Sequence, residues 1–222
     1  RCRMVAFRHI VCQSNACTAF FDECKRRGVT SVAIMLTNDP DEMIELAREV
    51  RPDILHIAGD GYAADEAFAA RLKEAAPNTK LMQAVLVDDE SAVDRAKKYA
   101  QYCDLILTDS GLAPDTGIGA SGLTHDWSID ARIVAECGKP VIMAGGLGPD
   151  NVAEAIEQCK PYGVDSLTKT SINTTAATWR KTSTRFVNSA SMPTLRPQRS
   201  DSDRWLWKSN CCNPSKWSAL TI

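Results

Sequence analysis

Two stretches of the chain carry residues that could do chemistry. The first is 103–127, CDLILTDSGLAPDTGIGASGLTHDW, in which an apolar run ends at Asp109 and a glycine-bearing loop follows. The second is 140–152, PVIMAGGLGPDNV, in which an apolar run breaks at Gly145 and Gly146 before a predicted helix. Amide N–H groups left accessible by glycine, together with a helix N-terminus, can hold an anion without a charged side chain. The pattern therefore predicts an acid beside a phosphate-binding loop.

Each of these features also has a purely structural interpretation. Asp109 could cap its strand by accepting hydrogen bonds from loop amides, and a glycine pair could form only a tight turn. Two glycines followed by a helix start nevertheless favour an anion site. His56 and His125 are acid/base candidates by type, although a lone histidine on an apolar strand more often fills the core or its rim.

The segment 117–122, GIGASG, matches the glycine pattern of dinucleotide-binding proteins letter by letter. That fingerprint must lie directly between a strand and a helix. Here the preceding strand ends near Asp109, whereas the next predicted helix begins only at Ser128. The spacing favours an active-site loop over a dinucleotide site.

These residues sit in a regular alternation of strands and helices at roughly 25-residue intervals. Short strands that are apolar on both faces indicate a parallel sheet. Six clear units favour an α/β fold of the TIM-type (β/α)8 barrel, incomplete as written, over a doubly wound sheet. The predicted strands are 32–36, 54–58, 80–87, 105–108, 141–144 and 164–168, and the helices are 41–50, 63–76, 91–101, 128–137 and 149–158.

In such a barrel the functional residues collect at the C-terminal ends of the strands. The polar residues and glycines predicted to lie near that mouth are His56, Gly59, Asp60, Gln83, Asp109, Gly145 and Asp165.

Composition narrows the function classes. A formal net charge of −2 lacks the basic stripe of nucleic-acid or membrane binders, and no apolar run is long enough to span a bilayer. The nine cysteines show no metal-binding spacing. We therefore expect a cytoplasmic protein without a zinc site or dithiol redox chemistry.

Changes in composition and apolar periodicity divide the chain into three parts. Residues 1–29 are interpreted as a remnant of the barrel with an irregular apolar pattern, which allows a strand at 4–12 and a helix at 16–27. Residues 30–170 are predicted to form the β/α core. The tail, 171–222, holds only two of the 28 acidic residues but four of the five tryptophans. Disorder is one interpretation of this tail, and a shifted reading frame near Ile172, which replaces a final helix, is another.

The motifs resemble those of the phosphoribosylanthranilate isomerase family, β/α-barrel enzymes of tryptophan biosynthesis. That family has a strand ending in aspartate, then a loop of the form GG-x-G-x-x-x-DW; the matching text is LTDS at 107–110 and GIGASGLTHDW at 117–127. The family's GGL-x-P-x-NV appears as GGLGPDNV at 145–152, and its last strand begins Val-Asp, as do Val164 and Asp165. The resemblance runs from about Val32 to Thr168.

The resemblance implies an Amadori rearrangement of a phosphoribosyl amine without cofactor or metal. It places the acid that opens the furanose ring at Asp109 and the substrate phosphate at Gly145 and Gly146. Substrate contacts fall on Gly119 and Gly122 of the loop and on Asp165. The alternatives are another sugar-phosphate isomerase or epimerase on the same barrel, or a non-catalytic module that binds a phosphorylated metabolite.

Three departures from the family put activity in question. The family's base, a cysteine in a Lys-x-Cys-Gly motif on the first strand, has no counterpart, and nothing around Cys12 identifies that residue as the base. HIAG at 56–59 stands where the family has Gln-Leu-His-Gly, and LTKT at 167–170 replaces Ser-Ser-Gly-Val. Loss of a general base costs about 100- to 10,000-fold in rate, so an inactive chain is one expectation.

Overall fold

The computed structural model describes residues 3–4, 21–26, 28–58, 61–113, 117–118, 123–166, 169 and 218–220. Its strands are β1 (Arg3–Met4), β2 (Val32–Met35), β3 (Ile54–Ile57), β4 (Lys80–Leu86), β5 (Leu105–Asp109), β6 (Leu112–Ala113), β7 (Gly117–Ile118), β8 (Val141–Met143), β9 (Gly163–Val164) and β10 (Ser218–Leu220). Its helices are α1 (21–26), α2 (Pro40–Val50), α3 (Glu66–Ala75), α4 (Ser91–Tyr99), α5 (Trp127–Glu136) and α6 (Val152–Cys159).

One sheet organises these elements, in the order β1-β9-β8-β5-β4-β3-β2-β10. All neighbours from β1 to β2 pair in parallel, whereas β10 pairs with β2 antiparallel. Strands β2, β3, β4, β5, β8 and β9 form a curled half-barrel, which confirms the predicted α/β barrel of six units. Among the described residues β1 and β2 do not pair, so the sheet is open between them.

The two faces of the sheet have separate cores because successive strand residues point to opposite faces. The inner face carries one apolar cluster: Val32, Ile34, Ile54, Ala58, Met82, Ala84, Leu105, Leu107, Ile142 and Ala144. The outer face packs Met35, Leu55, Ile57, Leu81, Val85 and Ile106 against helix residues that include Met43, Phe68 and Ile133. Asp109 shares the parity of Leu107, so it continues the inner face at the mouth of the half-barrel.

Local sequence explains where the helices begin. The side chain of Asp39 accepts hydrogen bonds from the amides of Asp41 and Glu42, and Pro40 occupies the first turn. Asp126 caps α5 by accepting from the amide of Ser128 at 2.9 Å. None of the described helices combines the length and apolarity that a membrane crossing requires.

The second glycine stretch differs from the prediction. The helix expected from Pro149 begins at Val152. The reason is Asn151: its Oδ1 accepts from the amide of Gly148 at 2.7 Å and its Nδ2 donates to the carbonyl of Gly146 at 3.1 Å. The side chain that could have started a helix instead closes the glycine loop.

The ends of the chain lie largely outside the described residues. The predicted strand at 4–12 overlaps β1 at one residue, and the predicted helix at 16–27 overlaps α1. In the tail only β10 is described, as an edge strand on β2. The last predicted strand, 164–168, is shorter than expected: β9 ends at Val164, while 167 and 168 are not described.

Candidate active site

The predicted acid, glycine pair and second aspartate meet at adjacent strand ends. Asp109 is the last residue of β5, and the next strand in the sheet, β8, leads directly into Gly145. The amide of Ala144 donates to the carbonyl of Thr108 at 2.8 Å, and the amide of Asp165 donates to the carbonyl of Met143 at 2.8 Å. These bonds hold the three strand ends level, so all three predicted residues reach one mouth.

Asp109 has the electrostatics of an acid that keeps its proton to a higher pH than an exposed aspartate does. Burial raises the pKa of its carboxyl to about 6, and the negative charge of Asp130 adds to the rise. The amide of Ser110, which donates to Oδ1 at 2.7 Å, and the nearby His125 act in the opposite direction. Since desolvation dominates, the carboxyl can donate a proton at a pH where an exposed aspartate cannot.

Gly145 and Gly146 are required by conformation and by space. Their backbone φ angles are +90° and +60°, a region that residues with a side chain rarely adopt. A Cβ on Gly145 would lie 2.7 Å from Ser110 Oγ and 2.9 Å from His125 Nδ1 and Cε1. A Cβ on Gly146 would lie 2.6 Å from the carbonyl group of Leu123. The segment that ends the long loop therefore packs directly on the glycine pair.

The glycine loop carries amide groups that no described residue accepts from. Among the described residues no acceptor is found for the amide N–H groups of Gly145 and Gly146. The side chain of Lys169 packs against Gly148, with its Cβ and Cδ 3.0 Å from the position of an added Cβ. The aliphatic part of the lysine that replaces a family glycine thus lies beside the loop.

The side chain of Asn151 forms a clip across the glycine loop through its two hydrogen bonds, to Gly148 and Gly146. We expect Asn151→Ala to lower the free energy of unfolding by about 1–2 kcal/mol, because two hydrogen bonds of a partly buried loop are lost. Asn151→Asp, which keeps the acceptor for Gly148 but loses the donor to Gly146, should show a smaller loss. Urea denaturation of both variants measures the difference; equal stability of the parent chain and Asn151→Ala would contradict the role of the clip.

A buried chain of polar side chains lies behind the mouth. Thr108 donates its hydroxyl to Asp130 Oδ1, and Asp130 Oδ2 is bonded to His125 Nε2. The side chains of Asp130 and His125 are 0% and 7% exposed. Sequence reasoning named His125 only by type and missed Asp130. The available signal was the spacing of Trp127, Asp130 and Ile133, which puts an acid inside the apolar stripe of α5.

Other predicted mouth residues have different positions. His56 is buried on the inner face, paired in register with Ile34 and Met82, and the same register continues to Leu105, two inner-face positions before Asp109. Gln83 lies on the outer face, where its Oε1 accepts from the amide of Ala64 at 3.0 Å and its Nε2 donates to the carbonyl of Tyr62 at 3.3 Å. Gln83 therefore secures the β3–α3 loop rather than the mouth. Gly59, Asp60, Gly119 and Gly122 lie outside the described residues.

The described cysteines do not supply a base. Burial raises the pKa of Cys103 to about 12 and that of Cys159 to about 11, so both remain thiols. Cys24 and Cys137 are buried as well, and Cys12 is outside the described residues. In the part of the chain that the structure describes, no three His, Cys, Asp or Glu residues are grouped to hold a metal ion.

A half-barrel with an acid on one strand end and a glycine loop on the next places the chain among the β/α-barrel proteins. The family model of N-(5'phosphoribosyl)anthranilate (PRA) isomerase matches residues 9–167. The chain belongs to this family, which confirms the resemblance inferred from its motifs.

Individual relatives agree with the family assignment. The chain is 39% identical over 137 residues to N-(5'-phosphoribosyl)anthranilate isomerase of Haloferax volcanii, and 35% identical over 137 residues to that of Methanocella arvoryzae. Both matches cover 62% of this chain, but only 58% and 62% of the relatives' length. The solved phosphoribosyl anthranilate isomerase of Thermococcus kodakaraensis shares the fold, with a TM-score of 0.51, 23% identity and coverage of 72% of this chain and 75% of that one.

Proposed function

We propose that the protein acts as a phosphoribosylanthranilate isomerase in tryptophan biosynthesis, converting an aminoaldose into an aminoketose in the cytoplasm. The observation that carries the proposal is Asp109, whose carboxyl has a pKa raised to about 6 and lies beside the paired glycines. Membership of the family and the isomerase relatives described above support the same reaction.

Asp109 is the general acid of this proposed reaction. Its proton goes to the furanose ring oxygen, the bond from C1 to that oxygen breaks, and an iminium forms between C1 and the substrate nitrogen. A base then removes the proton from C2, which yields an enol-amine that tautomerises to the ketone. C1 is reduced while C2 is oxidised, so the step needs no external oxidant or reductant.

Binding in this proposal depends on the glycine loop. The amides of Gly145 and Gly146 face the substrate phosphate, and Lys169 adds a positive charge near the same loop. Asp165, on the adjacent strand end, contacts the sugar, as do Gly119 and Gly122 of the long loop. The C2 base is not among the residues assigned above, since the thiols of Cys103 and Cys159 hold their protons.

A non-catalytic module that binds a phosphorylated metabolite is the second candidate. It is favoured by one observation, the absence of a competent thiolate among the described residues. In that case the mouth would still hold the anion while the proton transfer at C2 would have no acceptor.

Complementation separates the two candidates. The 222-residue chain is expressed in a tryptophan-requiring bacterium that lacks the isomerase, with Asp109→Asn as the control. Growth that depends on Asp109 supports the isomerase. No growth and no turnover by purified chain, together with measurable phosphate binding, would support the module. Growth that survives Asp109→Asn would remove Asp109 as the acid.

A further inference from the structure

His125 is held in one orientation between an acid and the glycine loop. Its Nε2 is bonded to Asp130, which is itself fixed by Thr108. The opposite edge of the ring, with Nδ1 and Cε1, lies against Gly145, 2.9 Å from the position of an added Cβ. Two residues of α5 and β5 are thus used to aim an imidazole at the proposed anion site.

The Nδ1 atom of His125 is an unsatisfied buried polar group. The atom is shielded from solvent, and the side chain is 93% buried. None of the described residues forms a hydrogen bond with this atom. Leaving such a group without a partner costs about 1–3 kcal/mol. Since Asp130 occupies Nε2, the free nitrogen is the one that faces the loop.

Several carboxylates lie close to the imidazole of His125. Asp130 touches the ring, and Asp109 on β5 and the exposed Asp126 are close enough to interact with it. Cys159 on α6 faces Asp130 as a neutral thiol, and Lys169 lies further along the glycine loop. A protonated ring can therefore donate from both nitrogens, to Asp130 and to a bound anion.

We propose that His125 is a side-chain ligand for the anionic group of the substrate, with Nδ1 donating to an anion held by the amides of Gly145 and Gly146. Thr108 and Asp130 are positioning residues that fix the ring. The identity of the anion as a phosphate rests on the proposed function. A charge-assisted hydrogen bond of this kind is shorter and stronger than a neutral one, so one histidine changes the affinity measurably.

The test uses inorganic phosphate and the full chain, with titration calorimetry of the parent and the variant in one buffer at one pH. We expect His125→Gln to bind phosphate about ten- to a hundredfold more weakly, because the Nδ1 donor of the ring is lost.

Asp130→Asn and Asp126→Asn form a matched pair. Each removes one carboxylate near the ring, but only Asp130 touches it, and asparagine keeps the helix cap at position 126. We expect Asp130→Asn to weaken phosphate binding at least several-fold and Asp126→Asn to leave it within about twofold. Equal losses in both variants would overturn the proposal, since they would reflect general charge alone.

A measurement on the unaltered chain guards against variants that fail to fold. Adding phosphate should shift the imidazole nitrogen resonances of His125 and not those of His56, which is buried on the inner face level with Leu105. An unshifted His125, or phosphate affinity unchanged in a folded His125→Gln variant, would overturn the proposal. Because no substrate is turned over, a chain without isomerase activity can still pass this test, so the two proposals fail separately.

Discussion

On the proposed function, we expect the replacement of Asp109 with asparagine to lower kcat by about 10²- to 10⁴-fold, the usual contribution of a general acid. The amide keeps the shape and can still accept from the amide of Ser110, but it has no proton to give. In the parent chain kcat/KM should fall as the pH rises above about 6, because the carboxyl then loses its proton. That limb of the pH profile should be absent from the variant.

The same substitution should stabilise the fold. The pKa of Asp109 is raised from 3.8 in the unperturbed group to about 6, so the folded state binds more protons than the unfolded state between these values. The free energy of unfolding of the parent therefore falls as the pH rises through this window. Asp109→Asn removes that loss and should be more stable at pH 7 by on the order of 3 kcal/mol.

Asp104→Asn is the matched control for Asp109→Asn. Asp104 precedes β5 at the opposite end of the strand, and its carboxylate accepts from the amide of Leu81 at 2.9 Å. Asparagine preserves an acceptor there, so turnover should stay within about twofold.

The stability prediction for Asp109 has its own contradicting outcome. If the stability advantage of Asp109→Asn over the parent were no larger at pH 7 than at pH 4, the carboxyl of Asp109 would not be desolvated.

The mouth was predictable from the sequence because its parts follow strand ends. Strand parity and the alternation of apolar runs place Asp109, Gly145 and Asp165 together once a parallel sheet is accepted. The same rule failed for Gln83, since a polar residue in the middle of a strand can face the helices and bond a loop. The alternation of faces along a strand could have made that distinction. Met82 points to the inner face, so its neighbour Gln83 points to the outer face.

The sequence places an acid within the apolar stripe of α5 but does not reveal the polar chain to which that acid belongs. Asp130 looks like an ordinary helix residue until its partners on β5 and the long loop are known, and those lie 22 and five residues away. The later start of α6 has a similar cause, since the side chain of Asn151 bonds to the glycine loop and not to the helix. Local propensity describes neither interaction, because both depend on which segments the fold brings together.

Gly146→Ala should abolish anion binding and lower stability by about 3 kcal/mol or more. Two costs combine: a left-handed φ of +60° costs alanine about 1 kcal/mol, and the new Cβ would lie 2.6 Å from the carbonyl carbon and oxygen of Leu123. Those are backbone atoms, which cannot rotate away as a side chain can. The loop must therefore move, and the amides at Gly145 and Gly146 lose their alignment.

Gly138→Ala separates the two costs. Gly138 has a similar φ of +72°, but nothing lies within 4 Å of an added Cβ. That variant should lose only about 1 kcal/mol and keep its phosphate affinity. Thermal unfolding and phosphate titration of both variants give the comparison. If Gly146→Ala matched Gly138→Ala in both measurements, the packing of the long loop on the glycine pair would not be what shapes the anion site.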